Sequence, residues 1–175
     1  LIRRFRAADD TACKALEQRA RQGGPVIAKL LFSGSFEHYV RFDTKANAFE
    51  GGGHVLVCEC VQDGVVCGVV CAGLKHVWLA GSVALVGYLF DLRCHDSYRR
   101  AGVGRQLSNA IEAECASSGA TRIYLTVNGD NKPVKALYTA LGYTCASHRA
   151  PSVVLLLPPA PADSLGTRLL LGKSN

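Results

Sequence analysis

The stretch YRRAGVGRQL, residues 98–107, decides how the chain is read. It stands between an apolar run that ends near Leu92 and a segment whose apolar residues recur with a helical period. A strand-to-helix turn needs one glycine at most, yet here Gly102 and Gly104 flank Val103, with Arg99, Arg100 and Arg105 close by. A helix whose first turn is Gly-Val-Gly presents several unpaired backbone N–H groups and the positive end of its dipole. Glycine lets anionic oxygens reach those groups without meeting a Cβ, and the arginines add charge at the same end. The pattern points to a held pyrophosphate and calls for no metal. Its spacing departs from the dinucleotide fingerprint GxGxxG and from the GK[ST] phosphate loop.

Outward from that turn the chain alternates strand and helix. LIRRFRAADD opens as a short strand, and Asp9 or Asp10 is placed to cap a helix over TACKALEQRARQGG that stops at Gly23-Gly24. Residues 25–50 show no clear period, and NAFEGGG reads as a loop. HVLVCECVQ turns at Asp63-Gly64, a two-residue hairpin signal, into VVCGVVCAGLKHVWL, and VALVGYLFDLRCH follows Ala80 to Ser82. These nearly continuous apolar runs suit central strands covered on both faces. Beyond the glycine turn, Val103, Leu107 and Ile111 form a helical stripe; TRIYLTV is a strand. NKPVKALYTALGY is a helix with Pro133 in its first turn, Val134, Leu137, Tyr138 and Leu141 on one face, and Gly142 at its end. YTCASHR and PSVVLLL close as strands. The order predicts a mixed α/β domain over 1–158 and a proline-rich tail over 159–175.

At 175 residues the chain is long enough for one domain with a full core, and 49% hydrophobic with 19% charged residues is globular composition. A formal charge of +6 suits an anionic ligand. The arginines cluster at one turn without interleaved aromatics, which argues against nucleic acid. No apolar stretch reaches membrane-spanning length, and no signal-peptide pattern is visible. The eight cysteines form no CxxC pair and have no histidine at zinc-ligand spacing, so they read as buried thiols in a reducing compartment: cytoplasm, nucleus or an organelle.

LRCHDSYRRAGVGRQL resembles motif A of the GCN5-related N-acetyltransferases (GNAT), whose core signature is Arg/Gln-x-x-Gly-x-Gly/Ala. LTVNGDNKPVKALYTALGY is similar to that family's following strand and helix, with Asn131 and Tyr138 seven residues apart. The likeness is strong over Val83 to Tyr143. A weaker one links HRAPSVVLLLPPA to the C-terminal strand of plant hookless-type acetyltransferases. The resemblance implies the GNAT fold, a mixed sheet of six to seven strands flanked by about four helices. It implies acetyl-CoA as cosubstrate, no metal, an amine acceptor on a small molecule or protein, and a monomer or homodimer.

By the same resemblance, Leu92, Arg93 and Cys94 lie beside the pantetheine arm, their backbone pairing with its amides like an added strand. Arg99, Arg100, Ala101, Gly102, Val103, Gly104 and Arg105 cradle the pyrophosphate. Asn131 bonds the pantetheine or caps the last helix. Tyr138 protonates the departing thiolate, or is a core tyrosine with a satisfied hydroxyl. Val134 stands where the family often has alanine and crowds the cofactor. The family has no fixed general base; Asp91 is the candidate, with half of an ion pair with Arg93 as the rival, and strand parity is silent because a bulge there reverses facing. His54 and His95 read as ordinary polar residues. The implied reaction is direct attack of an amine on the thioester, its carbonyl polarised by a backbone N–H of the central strand, with no covalent enzyme intermediate and so no nucleophilic role for Cys94. A non-catalytic acyl-CoA-binding or protein-interaction module of the same fold is the competing expectation.

Overall fold

The apolar runs between residues 53 and 94 form an antiparallel meander, because alternate side chains have a separate core to enter on each side. The computed structural model describes residues 1–22, 40–79, 81–149 and 152–157. Strand β1 (Ile2–Arg4) pairs with β2 (Gly53–Glu59), β2 with β3 (Val66–Leu79), and β3 with β4 (Ser82–Cys94). Strand β4 lies parallel to β5 (Arg122–Asn128). Strand β7 (Ser152–Leu157) is inserted antiparallel between β5 and β6 (Thr144–Arg149). The order in this seven-stranded mixed sheet is β1-β2-β3-β4-β5-β7-β6.

Among the described residues, four α-helices cover the sheet. Helices α1 (Asp10–Gln22) and α2 (Phe42–Asn47) lie on one face; α3 (Val103–Ser117) and α4 (Lys132–Ala140) lie on the other. Val55, Val57, Val69 and Cys71 enter the core beneath α1 and α2, with Cys13, Leu16 and Phe42. Their neighbours Leu56, Cys58, Val70, Ala72 and Leu74 enter the core beneath α3 and α4, with Leu107, Ile111 and Ile123. Period two on a doubly covered strand reads as unbroken hydrophobicity. Leu107 and Ile111 are fully buried, and truncating either to alanine removes about 3 kcal/mol.

The mixed architecture, the seven strands and the four helices match the expectation, while local details differ. Asp9 immediately precedes α1, but its carboxylate turns back along the chain. Asp9 sits in a 3-10 turn, where its carboxylate accepts the Arg6 amide at 2.7 Å and pairs with Arg3 at 2.8 Å. Asp10 is the first helical residue and pairs with Lys14 one turn on, at 2.7 Å. The two-residue connection is not at Asp63-Gly64, which lies within a longer loop closed by the Cys60 amide on the Val65 carbonyl at 2.9 Å. It joins β3 to β4, where Leu79 opposes Ser82. Part of the unread stretch is the short helix α2. The tail over 159–175 and the helix stop at Gly23-Gly24 lie outside the described residues.

Candidate active site

Strands β4 and β5 pair only from Val86–Arg122 to Leu89–Leu125. Beyond that, β4 continues against β3 to Cys94, while β5 continues against β7 to Asn128. The two central strands therefore part company, and the edge of β4 from Phe90 onward that faces β5 has no strand partner among the described residues. A bulge occurs at the same point. Cys71 opposes Phe90 and Val69 opposes Arg93, so Asp91 and Leu92 together face one residue, and Asp91 takes φ 51. The extra residue flips facing. Leu89 points to the α3 side, and so do Leu92 and Cys94 three and five residues later. Asp91 is turned towards Lys45 of α2 on the opposite side.

The turn into α3 has the character its glycines promise. Arg100 (φ 67) and Gly102 (φ 81) both adopt the left-handed conformation, and Gly102 is the helix N-cap with no capping side chain. The Gln106 amide bonds the Gly102 carbonyl at 3.0 Å; the amides of Gly102, Val103, Gly104 and Arg105 meet no acceptor among the described residues. A Cβ on Gly102 would find only the end of the Gln106 side chain, at 3.7 Å, so the approach is open. Gly104 is instead half-buried against Leu137, Cys94 and Leu92, which joins the α3 N-terminus to α4 and to the free edge of β4. Val103 is buried in the core, and Ala101 is exposed. The arginines divide: Arg99 pairs with Asp96 at 2.7 Å, whereas Arg100 and Arg105 are exposed with no ion pair among the described residues.

Helix α4 begins at Asn131, whose side-chain oxygen accepts the Val134 amide at 3.3 Å. The capping role is therefore observed, and it sets where the helix starts. Four residues past Val134, Tyr138 is 2% exposed, with its hydroxyl 3.5 Å from Ser108 Oγ, and burial pushes its phenol up to about 12. It is thus a proton-bearing group across the neutral range. Cys94 on the facing strand is raised to about 11 by burial, which suits a wall and not a nucleophile.

Two polar residues here were missed by sequence reading. Ser108 and Glu112 lie on α3 in phase with the buried Leu107, Ile111 and Cys115, and that phase is the signal that would have found them. Glu112 is 1% exposed, accepts the Tyr143 hydroxyl at 2.7 Å on Oε1, and has no partner on Oε2 among the described residues. Desolvation pushes its carboxyl up to about 7. The Tyr143 ring meets that of Tyr138 edge-on at 4.9 Å, so the pair braces Tyr138 from below.

On the α1/α2 side, the ion pair that rivalled a base role for Asp91 is present and has a second member. Arg93 holds Asp91 Oδ1 at 3.0 Å and Lys45 holds Oδ2 at 3.2 Å, with Glu17 of α1 3.5 Å from the same lysine. The Arg93 side chain lies on this side, away from the α3 turn, because the bulge puts it there. Only its backbone remains on the free edge. His54 bonds Ser118 at 2.9 Å and His95 accepts the Ser97 amide at 3.2 Å, local roles as expected. A pocket lined by Arg4, Asp43, Ala46 and His54 lies at the β1–β2 edge, on the far side of β3 from the strand split.

An open glycine turn with unbonded amides, two unpaired arginines and a free strand edge beside it form one continuous cradle, and these residues fit the phosphates and amide-bearing arm of coenzyme A. No curated protein matches the chain. Among solved structures, a mutant of the BH1408 protein from Bacillus halodurans is 20% identical over 85% of this chain and 96% of its own, with a TM-score of 0.69. Glucosamine-6-phosphate N-acetyltransferase from Arabidopsis thaliana is 17% identical over 85% and 94%, at 0.62. Ribosomal-protein-alanine N-acetyltransferase from Brucella melitensis is 17% identical over 89% and 98%, at 0.60. These show a shared fold. The model of the acetyltransferase (GNAT) family matches residues 25–143, which spans the bulged strand, the glycine turn and the tyrosine helix, and the chain belongs to that family.

Proposed function

We propose that the protein transfers an acetyl group from acetyl-CoA to a primary amine by direct attack. The observation that carries this reading is the open, uncapped α3 N-terminus set beside the unpaired edge of β4. The amides from Gly102 to Arg105, with Arg100 and Arg105, hold the diphosphate. Arg99 contributes less, being paired with Asp96. The backbone of Leu92, Arg93 and Cys94 takes the arm as an added strand, with Leu92 and Cys94 side chains as its wall. Acetyl-CoA supplies an acyl carbon on a thiol leaving group.

A backbone N–H of the split edge donates to the carbonyl oxygen, where negative charge develops. The amine nitrogen bonds to the acyl carbon, the C–S bond breaks, Tyr138 gives its proton to the thiolate, and the proton shed by the new amide nitrogen passes through water and restores the tyrosine. The acceptor ammonium must first lose a proton. Asp91 faces that side, but both its oxygens are already held by cations, so a proton taken up there displaces one of those contacts. We assign Asp91 this transient role with water as the final acceptor. Calorimetry with coenzyme A, followed by thiol release in the presence of an amine panel, tests the reading. Heat on binding and amine-dependent release support it, absence of heat removes it, and binding without release favours the non-catalytic module.

A further inference from the structure

The face of the strand split opposite α3 and α4 carries four aromatic rings. Tyr88 and Tyr124 oppose each other across the β4–β5 ladder with ring centroids 4.9 Å apart. Phe90 stacks beside Tyr88 at 5.8 Å, and Phe49 completes the group at 6.1 Å from Tyr88 and 5.8 Å from Phe90. None of the four is buried, and Phe49, Tyr88 and Tyr124 belong to neither core. The group is built around an omission: a Cβ on Gly73 would stand 2.2 Å from the Phe49 ring, so the absent side chain is the seat of that ring.

The position of this ledge matters. It starts at the next-to-last ladder pair and reaches Phe90, the last residue before the bulge. Helices α3 and α4 close the other face of the split, so an acceptor reaching a thioester held there comes across the rings.

The chemistry of the ledge selects among amines. Of the carboxylates beside it, Asp91 is held by Lys45 and Arg93, while Glu50 accepts the His76 amide at 2.6 Å and stays exposed. Lys75 Nζ lies 5.1 Å from the centre of the Tyr124 ring and adds positive charge at that end. A polyamine, which needs a carboxylate for each of its ammonium groups, would find one exposed carboxylate, Glu50, set against Lys75. An amino sugar needs several polar partners, and the ledge offers one exposed pair, the Tyr88 hydroxyl and Thr126 Oγ1 at 3.0 Å. Ring faces and edges match an aromatic body, which stacks or packs edge-on at these spacings.

Resting on the acetyl-transfer reading above, we propose that the acceptor is a small monoamine with an aromatic ring, seated on Phe49, Tyr88, Phe90 and Tyr124 while its amine reaches the split. The transfer balances as amine plus thioester giving amide plus free thiol.

The test is acetyl transfer to phenethylamine and tyramine against spermidine, glucosamine 6-phosphate and a lysine peptide. It is run in the native protein and in Tyr88→Leu and Tyr124→Leu, which keep apolar volume and remove a ring. The expected result is kcat/KM for the aromatic amines about 10-fold or more above the others, and an acceptor KM raised about 10-fold in each variant. An unchanged acetyl-CoA affinity in the same variants reports an intact fold. Preference for spermidine, the sugar or the peptide overturns the ledge assignment alone, as does an acceptor KM that ignores both substitutions. Absence of transfer to every amine, with coenzyme A still bound, overturns the transfer reading and this one together.

Discussion

The two faces of β4 are built by different means. On the α3/α4 side the site is built mainly from backbone: four amides, a left-handed glycine and a strand edge, all within residues 90–105. On the α1/α2 side it is side chains brought from far apart, with Glu17, Lys45, Asp91 and Arg93 in one charge cluster and Phe49 with Tyr88, Phe90 and Tyr124 in one ring group. The bulge at Asp91 is the hinge of the difference, since it sends Leu92 and Cys94 to one face and Asp91 to the other. On the proposed reading, the backbone cradle would recognise groups common to every coenzyme A molecule, and the side-chain ledge could change with the acceptor without disturbing it. Substitutions on one face should therefore spare the property that belongs to the other.

The largest effect concerns stability. The buried Glu112 carboxyl is raised to about 7 from the ordinary 4.5. The native protein keeps that proton over a range where the unfolded chain has released it. Its contribution is therefore full below 4.5, falls as pH rises through 7, and stays lost above. The decline amounts to about 3 kcal/mol over that window. Urea unfolding across the range should show it as a native profile that falls relative to that of Glu112→Gln, which keeps only the opposite rise from the half-buried His54, lowered from its ordinary value; two parallel profiles would remove the assignment.

Tyr138→Phe comes next, with kcat lowered about 100-fold and acetyl-CoA affinity held, because the ring remains and only the proton is gone. Steady-state kinetics beside calorimetry separates the two, and equal losses in both would mean the tyrosine is structural. Gly102→Val follows: a branched side chain at φ 81 is strained and stands in the path to the amides, so coenzyme A binding should weaken about 30-fold. Binding at native strength would show that the turn is not the cradle.

The smallest expected change lies on the other face. Gly73→Ala forces the Phe49 ring aside, and an acceptor KM about 10-fold higher should accompany a melting temperature lowered by a few degrees, equivalent to about 1 kcal/mol. Coenzyme A affinity should not move. If it falls, the two faces are coupled and the comparison above fails.

Sequence alone determined what is written in consecutive residues. The glycine turn, the helix from Asn131 to its stop at Gly142, and the central strands are local patterns whose physics is completed by neighbours in the chain: unpaired amides, a fixed proline φ, period two or period 3.6. Tertiary structure alone decided what depends on facing and on distance in the chain. Whether Asp91 or Leu92 looks towards α3 turns on one inserted residue, invisible to strand parity. The pairing of Lys45 with Asp91 spans 46 positions. That Ser108 and Glu112 lie inside, and that Gly73 is empty so that a ring can fill it, are facts of packing, and packing is settled by what the rest of the chain brings alongside.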